Sequence, residues 1–130
     1  MPRTILIVDD EPGITAALMI RLQSAGHEVY HAINGLAGVE AAALHQPEVI
    51  VMDIRMPDID GYEACQRIHA LPGLSKTPVV FLSANVQEQA RERAKLAGGC
   101  VFLSKPYEAS DVLDAVECAA QGAYTETTHA

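Results

Sequence analysis

Apolar runs of four to six residues recur along the chain, and amphipathic stretches separate them. This alternation is typical of βα units built on a mostly parallel sheet. Three of the runs are continuously apolar, as strands covered on both faces should be, and these are expected at the centre of the sheet. We predict five strands, at about Thr4 to Val8, His27 to Ala32, Glu48 to Asp53, Thr77 to Leu82 and Cys100 to Leu103.

Apolar residues at helical spacing fill the intervals between these strands. Pro12 opens the first helix and Gly26 closes it, and the last helix has an apolar face that includes Val112 and Val116. Because crossovers between parallel strands are right-handed, five such units favour the strand order 2-1-3-4-5. The prediction is an α/β fold, a flavodoxin-like three-layer sandwich with a five-stranded parallel sheet of that order and five helices.

Charge and hydropathy exclude several classes of function. The 130 residues include nine Lys and Arg against seventeen Asp and Glu, a formal net charge of −8. This sign opposes binding to phosphate backbones and to anionic membranes, so no direct contact with nucleic acid or membrane is expected. The apolar runs are far shorter than a membrane span, and no apolar signal region follows Met1. We expect a soluble, cytoplasmic protein.

The domain is expected to cover residues 1–121. The remaining stretch, 122–130, is polar and unpatterned, which predicts a frayed tail or the start of a linker. Three cysteines without a CxxC pair indicate neither a disulfide framework nor a zinc site. His27 and His31 lie on the second strand, where four residues span about 13 Å, too far for one zinc ion. That strand ends without a charged residue and is expected to stay outside any site.

Polar side chains follow the four other strands, and the carboxyl ends of parallel strands meet at one edge of the sheet. We expect them to converge on Asp53: Asp9, Asp10 and Glu11 after strand one, Asp53 at the end of strand three, Ser83 after strand four, and Lys105 and Pro106 after strand five. Carboxylates brought together repel one another unless a cation offsets them. Oxygen ligands indicate Mg²⁺, with Asp10 and Asp53 as direct ligands and Asp9 through water.

Each motif also has a structural interpretation. The run Asp9 to Glu11 could simply cap a helix, Lys105 could form a structural ion pair, and Ser83 could bond local backbone. Asp53 favours function, because an unpaired carboxylate at the end of a buried strand is costly. A nucleophile, a magnesium site, a cation and a hydroxyl are the parts that phosphoryl transfer needs. We therefore infer an aspartyl-phosphate site at Asp53.

Four segments together closely resemble the receiver domain of response regulators, over about residues 3 to 121. They are Ile7-Val8-Asp9-Asp10-Glu11, Asp53-Ile54-Arg55-Met56-Pro57 with Asp60-Gly61, Ser83-Ala84, and Lys105-Pro106-Tyr107. The resemblance implies a two-component phosphorelay protein in which Asp53 accepts a phosphoryl group from a sensor histidine kinase or a phosphotransfer protein. Such a module catalyses only its own phosphorylation and dephosphorylation and is not otherwise an enzyme.

The resemblance also assigns roles to single residues. The backbone carbonyl of Arg55 would help to arrange the Mg²⁺, Lys105 would hold the acyl phosphate, and a cis bond before Pro106 would aim Lys105 inward. Ser83 would move toward the phosphoryl group while Phe102 rotates inward, so that these two residues form a switch. The change would be read by an unknown output protein or domain on the face formed by the fourth helix, fifth strand and fifth helix.

Other interpretations stay open at this point. The acidic last helix carries no Arg, which argues against the dimers that transcription-factor members form through this face and leaves a weak homodimer open. A flavodoxin-type cofactor binder would share the fold, but carboxylates after strand one would repel a cofactor phosphate. A phosphatase with an aspartate nucleophile would carry a carboxylate where Arg55 stands. A degenerate receiver used only for binding is disfavoured, because every core position of the motif is filled.

Overall fold

A computed structural model describes residues 2–83, 92–93, 96, 101–104, 107–121 and 125–127. Within these ranges six parallel strands form one sheet of order β2-β1-β3-β4-β5-β6. The strands are β1 Thr4–Val8, β2 Glu28–Ala32, β3 Val49–Asp53, β4 Val79–Ser83, β5 Val101–Ser104 and β6 Thr125–Thr127. The predicted order 2-1-3-4-5 is confirmed, and each predicted strand lies within two residues of its observed position.

Four helices have complete bounds in the described part of the chain. They are α1 Pro12–Ser24, α2 Gly35–His45, α3 Gly61–His69 and α4 Ala109–Ala120. The fifth predicted helix, between β4 and β5, lies largely outside the described residues. Within that interval the structure describes Glu92, Arg93 and Leu96, and these three are helical. None of the described helices is long and apolar enough to cross a membrane.

Local sequence explains where these helices begin and end. Pro12 stands in the first turn of α1, where its missing N–H costs no hydrogen bond. The side chains of Asn34 and Asp60 cap α2 and α3 by accepting hydrogen bonds from backbone N–H groups three residues further on. Gly26 follows the C-cap of α1 with a φ of 95°, so the predicted stop is explained by a left-handed residue just beyond the helix.

The core has two layers because side chains alternate between the faces of the sheet. One layer, under α2 and α3, includes Leu6, Met52 and Phe102, and the other, under α1 and α4, includes Ile7, Val51 and Leu103. All five residues of β3 and of β4 are buried. This burial on both faces is the reason why these strands read as continuous apolar runs.

The sixth strand was not predicted. Residues 125–127 were expected to belong to an unpatterned tail, but Thr125–Thr127 pair in parallel with Val101–Leu103 at the edge of β5. A strand of three residues is too short to show the alternation that identifies strands in a sequence. Its formation depends on the free edge that β5 offers. The boundary of the domain at residue 121 stays a prediction.

Candidate functional site

The switch in strand order between β1 and β3 places the ends of these two strands side by side. In open α/β sheets, ligands bind at the carboxyl ends of the strands around such a point. Asp9 follows β1 directly, Asp53 is the last residue of β3, and Ser83 is the last residue of β4. The chain therefore delivers two carboxylates and a hydroxyl to one edge of the sheet.

Four carboxylates meet at this edge. Asp9, Asp10, Glu11 and Asp53 each offer one oxygen, and these oxygens all lie within 4.8 Å of one another. Asp9 is 0% and Asp53 is 4% exposed, whereas Asp10 and Glu11 are exposed. The structure thus brings together the three aspartates that the sequence assigned to a metal site and adds Glu11 to them. We call these four residues the acidic cluster.

Backbone N–H groups orient the two buried carboxylates. An Oδ1 atom accepts a hydrogen bond from the N–H two residues further on in both cases, from Glu11 to Asp9 at 2.9 Å and from Arg55 to Asp53 at 3.1 Å. Such local turns are typical of aspartate. They hold each carboxylate at the start of the loop that follows its strand, while the side chain of Arg55 is exposed.

The helix-capping interpretation of the acidic run is not supported. The N-cap residue of α1 is Glu11, and it makes no side-chain cap hydrogen bond. Asp9 instead bonds the N–H of Glu11, ahead of the helix. The position of Asp9 and Asp10 beside Asp53 is therefore not a consequence of helix capping.

One residue near the cluster was missed in the sequence. His31 of β2 places its Nε2 atom 2.9 Å from the backbone carbonyl oxygen of Asp9. The expectation that the second strand stays outside the site was wrong, because β2 pairs with β1 up to Val8 and its side chains reach the turn beyond. The signal that could have found His31 is its place one residue before Ala32, the partner of Val8 in the predicted parallel pair.

Tyr107 is a second neighbour of the cluster. Its phenol oxygen is buried and has no hydrogen-bond partner among the described residues. Burial, together with the negative charges of Asp9, Asp53 and Glu11, raises the pKa of Tyr107 to about 12. The side chain packs against the core layer under α1 and α4, which is the face that Asp53 shares with Val49 and Val51.

The two residues predicted as a switch lie in buried positions. Ser83 is 7% exposed and stands opposite Ser104 in the pairing of β4 with β5. Phe102 is fully buried and stands opposite Phe81 in the core layer under α2 and α3. Its rotation, and with it the switch, stays a prediction.

Lys105 and Pro106 lie outside the described residues. The structure places the two residues that frame them: Ser104, at the end of β5, and Tyr107, one residue before the N-cap of α4. The predicted roles of Lys105 and of a cis bond before Pro106 therefore stay predictions.

Comparison with known proteins identifies the family. The model of the response regulator receiver domain matches residues 5–117. The chain belongs to this family. It is 38% identical over 122 residues to the transcriptional regulatory protein PdtaR of Mycobacterium tuberculosis and 33% identical over 118 residues to the protein PilH of Pseudomonas aeruginosa. The match confirms the family that the four sequence segments resemble.

Solved receiver structures share the fold. A putative response regulator from Chloroflexus aurantiacus superposes with a TM-score of 0.85 at 30% identity, covering 93% of this chain and 99% of the other. The receiver domain of a sensor histidine kinase from Pseudomonas aeruginosa superposes with a TM-score of 0.83 at 28% identity, covering 94% and 100% of the two chains. That second structure has a magnesium ion coordinated in its active-site cleft.

The relatives differ in length. This chain spans about half of several curated relatives: its match covers 92% of this chain but 57% of PdtaR, and 87% of this chain but 46% of the transcriptional regulator RpaA of Synechocystis. The match to PilH covers 91% of this chain and 98% of PilH. A receiver domain therefore occurs among these relatives both within longer chains and as nearly the whole protein.

Proposed function

We propose that this receiver accepts a phosphoryl group on Asp53 from the phosphohistidine of a sensor histidine kinase or phosphotransfer protein. The observation that carries the proposal is the acidic cluster, in which a nearly buried strand-end aspartate lies within 4.8 Å of three other carboxylates. Such crowding of like charges is costly without a cation. Functional sites are the places where proteins keep arrangements of this kind.

The donor set of the cluster fits Mg²⁺. All four candidate ligands are carboxylate oxygens, which this hard cation prefers, and two of the four residues are exposed enough to leave room for water and a phosphoryl group. Asp10 and Asp53 would bind the ion directly, Asp9 through water, and Arg55 through its backbone carbonyl. When bound, Mg²⁺ supplies positive charge that offsets the carboxylates and the incoming phosphoryl oxygens.

Phosphoryl transfer then requires one bond to form and one to break. A carboxylate oxygen of Asp53 attacks phosphorus, the P–N bond to the donor histidine breaks, and an acyl phosphate forms on Asp53. The hydrogen bond from the N–H of Arg55 to Oδ1 of Asp53 orients this carboxylate. Lys105 would pair with a phosphoryl oxygen, with Pro106 aiming it, and Ser83 would donate its hydroxyl to another.

The output belongs to the same proposal. Contacts of the phosphoryl group with Ser83 and Lys105 would favour one of two conformations, and Phe102 would follow Ser83 because their strands pair directly. A partner protein or domain would read the face formed by β5, α4 and the helix between β4 and β5. The proposal places the protein in the cytoplasm. It includes no direct contact with nucleic acid or with a membrane.

The test is the intact mass of the protein after incubation with acetyl phosphate and Mg²⁺. The wild type should gain one phosphoryl adduct, which a chelator should prevent. Asp53→Asn should gain none, while the matched control Asp114→Asn, an exposed aspartate on α4, should behave like the wild type. An adduct that persists in Asp53→Asn would contradict the assignment of the acceptor.

The absence of any adduct needs one further measurement, because rapid hydrolysis would give the same mass. Trapping with beryllium fluoride and Mg²⁺ separates the two cases. Binding of this phosphoryl analogue by the wild type and not by Asp53→Asn would support a competent site with a short-lived phosphate. Failure of both measurements would leave a receiver fold used only for binding, and the proposed chemistry would be wrong.

A further inference from the structure

Three hydrogen bonds fix Asp9, the most buried residue of the acidic cluster. Its backbone N–H donates to the carbonyl oxygen of Ala32 at 3.1 Å, and its Oδ1 accepts from the N–H of Glu11 at 2.9 Å. Its backbone carbonyl oxygen lies 2.9 Å from Nε2 of His31. Two of these partners, Ala32 and His31, lie at the end of β2. This strand therefore contacts both the backbone N–H and the backbone carbonyl group of Asp9.

The chemistry of the third contact defines the role of each atom. A carbonyl oxygen can only accept a hydrogen bond, so the ring of His31 donates, and Nε2 carries a proton. The ring is half-buried on β2, where His31 stands opposite Ile7. The carbonyl group of Asp9 lies beyond the end of β1, and the side chain of His31 supplies a donor there.

The carbonyl of Asp9 belongs to the peptide group that joins Asp9 to Asp10. Because a peptide group is planar, fixing its oxygen fixes the orientation of the plane and the position of the Asp10 Cα atom. Asp10 is exposed, yet its carboxylate oxygen lies within 4.8 Å of the others. The hydrogen bond from His31 is therefore well placed to keep Asp10 in the cluster.

We propose that His31 is a positioning residue of this site, which orients the Asp9–Asp10 peptide through its Nε2–H and so sets the affinity of the acidic cluster for Mg²⁺. The proposal rests on the proposed function of the cluster as a magnesium site. Residues that orient metal ligands typically change metal affinity by about 10–100-fold when they are replaced. His31 acts through one peptide group rather than on a ligand side chain, so an effect of about tenfold is expected.

The test compares one substitution that removes the donor with one that keeps a donor. His31→Phe keeps a planar ring and removes the donor, whereas His31→Gln keeps an amide N–H at a similar distance from the backbone. Mg²⁺ titrations should show affinity about tenfold weaker for His31→Phe and largely restored in His31→Gln. His45→Phe, at the far end of α2, is the matched control and should bind Mg²⁺ like the wild type.

Two further readouts separate positioning from a general loss of structure. Urea unfolding in the presence of a chelator measures whether His31→Phe is folded and how stable it is without metal. Nitrogen-15 NMR of the ring should show a protonated Nε2 for His31 in the metal-free wild type. A folded His31→Phe with weak Mg²⁺ binding, rescued by His31→Gln, together with that ring signal, is the expected set of results.

Three outcomes would overturn the proposal. Equal Mg²⁺ affinity in the wild type and His31→Phe would show that the hydrogen bond does not position the ligands. Equal weakening by His31→Phe and His31→Gln would assign the effect to shape rather than to the donor, and an unprotonated Nε2 would remove the hydrogen bond itself. A wild type that binds no Mg²⁺ is a different result, because the proposed function of the cluster then fails first.

Discussion

Asp53 shows how one residue can be both costly and required. It ends a strand whose five residues are all buried, and it is 4% exposed. Its carboxylate keeps a hydrogen bond from the N–H of Arg55 and lies close to three other negative charges. A hydrophobic residue would suit the end of this strand better, so its chemistry rather than its packing explains the aspartate.

Tyr107 provides a prediction at the same scale. Because burial and the nearby carboxylates raise its pKa to about 12, its phenol should ionise later than an ordinary tyrosine. Absorbance at alkaline pH, measured for the wild type and for Tyr107→Phe, should give a difference curve with a midpoint near pH 12. A difference curve centred near 10, the ordinary value for tyrosine, would contradict this environment for the side chain.

The same shift makes a statement about stability. A phenol whose pKa is higher in the folded protein than in the unfolded chain holds its proton more tightly when folded. The folded protein should therefore lose stability as the pH rises from about 10 towards about 12. Tyr107→Phe should flatten this part of the curve in urea unfolding, and an unchanged slope would show that other groups cause the loss.

At the scale of elements, the start of α3 lies against the end of β3. The N–H of Gly61 donates to the carbonyl oxygen of Ile54 at 2.8 Å, and a Cβ atom at Gly61 would lie 2.5 Å from the carbonyl oxygen of Asp53. An Asp-Gly pair such as Asp60-Gly61 is by itself typical of a turn. The structure adds that glycine allows the helix to approach the backbone of the phosphoacceptor strand.

Gly61→Ala should therefore destabilise the protein by about 1–3 kcal/mol, the usual cost of overpacking. It should also slow formation of the phosphoryl adduct, because the backbone that must move is that of Asp53. Gly13→Ala is the matched control, since a Cβ atom there meets nothing within 4 Å in α1. Urea unfolding measures the stability of both variants and intact mass measures adduct formation, and equal stability of the two variants would refute the close approach.

The loop between β3 and α3 is also joined to α2. The carboxylate of Asp58 accepts hydrogen bonds from the N–H groups of Gly35 and Leu36, at 3.0 and 2.7 Å. Burial acts to raise the pKa of Asp58, but hydrogen bonds from the backbone N–H groups of Leu36, Gly35, Ile59 and Asp58 itself together outweigh it and lower the pKa. A carboxylate at the N-terminus of a helix is also favoured by the helix dipole.

Asp58→Asn should consequently lower stability at neutral pH and much less in acid. A carboxyl group whose pKa is depressed by folding stabilises the protein above its unfolded pKa of 3.8, and this contribution is lost as the pH falls through the lower folded value. Urea unfolding at pH 7 and near pH 3 measures the difference. Asp114→Asn on α4 removes an exposed charge as the control, and a gap between wild type and Asp58→Asn that persists in acid would contradict the mechanism.

At the scale of the whole molecule, the acidic cluster adds local repulsion to a chain whose net charge is already −8. Two unit charges about 4 Å apart repel by about 1 kcal/mol even in bulk water. A bound cation removes this cost and adds its own binding free energy to the folded state. The protein should therefore be less stable with a chelator than with Mg²⁺.

Asp10→Asn should largely remove this dependence of stability on Mg²⁺. With one charge of the cluster removed, the variant should melt at a temperature a few degrees higher than the wild type in chelator, where about 1 kcal/mol corresponds to roughly 2–8 °C. It should gain little from Mg²⁺, whereas the wild type should gain more as the Mg²⁺ concentration rises. Thermal melts in both conditions test the pattern, and a wild type insensitive to Mg²⁺ would refute it.

Much of this architecture follows from local pattern. The buried strands are continuous apolar runs, α1 begins at Pro12, and both faces of the sheet are covered as the strand composition requires. The strand order followed from handedness, and the order in turn placed Asp9 beside Asp53. These features depend on a few neighbouring residues or on general rules of chain topology, so the sequence alone was sufficient to predict them.

Other features exist only through contacts between distant segments. His31 reaches Asp9 across 22 residues of chain, Asp58 holds α2 across a similar distance, and Thr125–Thr127 form a strand only against β5. None of these residues has a distinctive local pattern. Their partners are set by the register of neighbouring strands and the approach of one loop to another helix. The sequence by itself therefore determined the fold and the acidic residues of the site, while the tertiary structure decided which other residues hold that site in place.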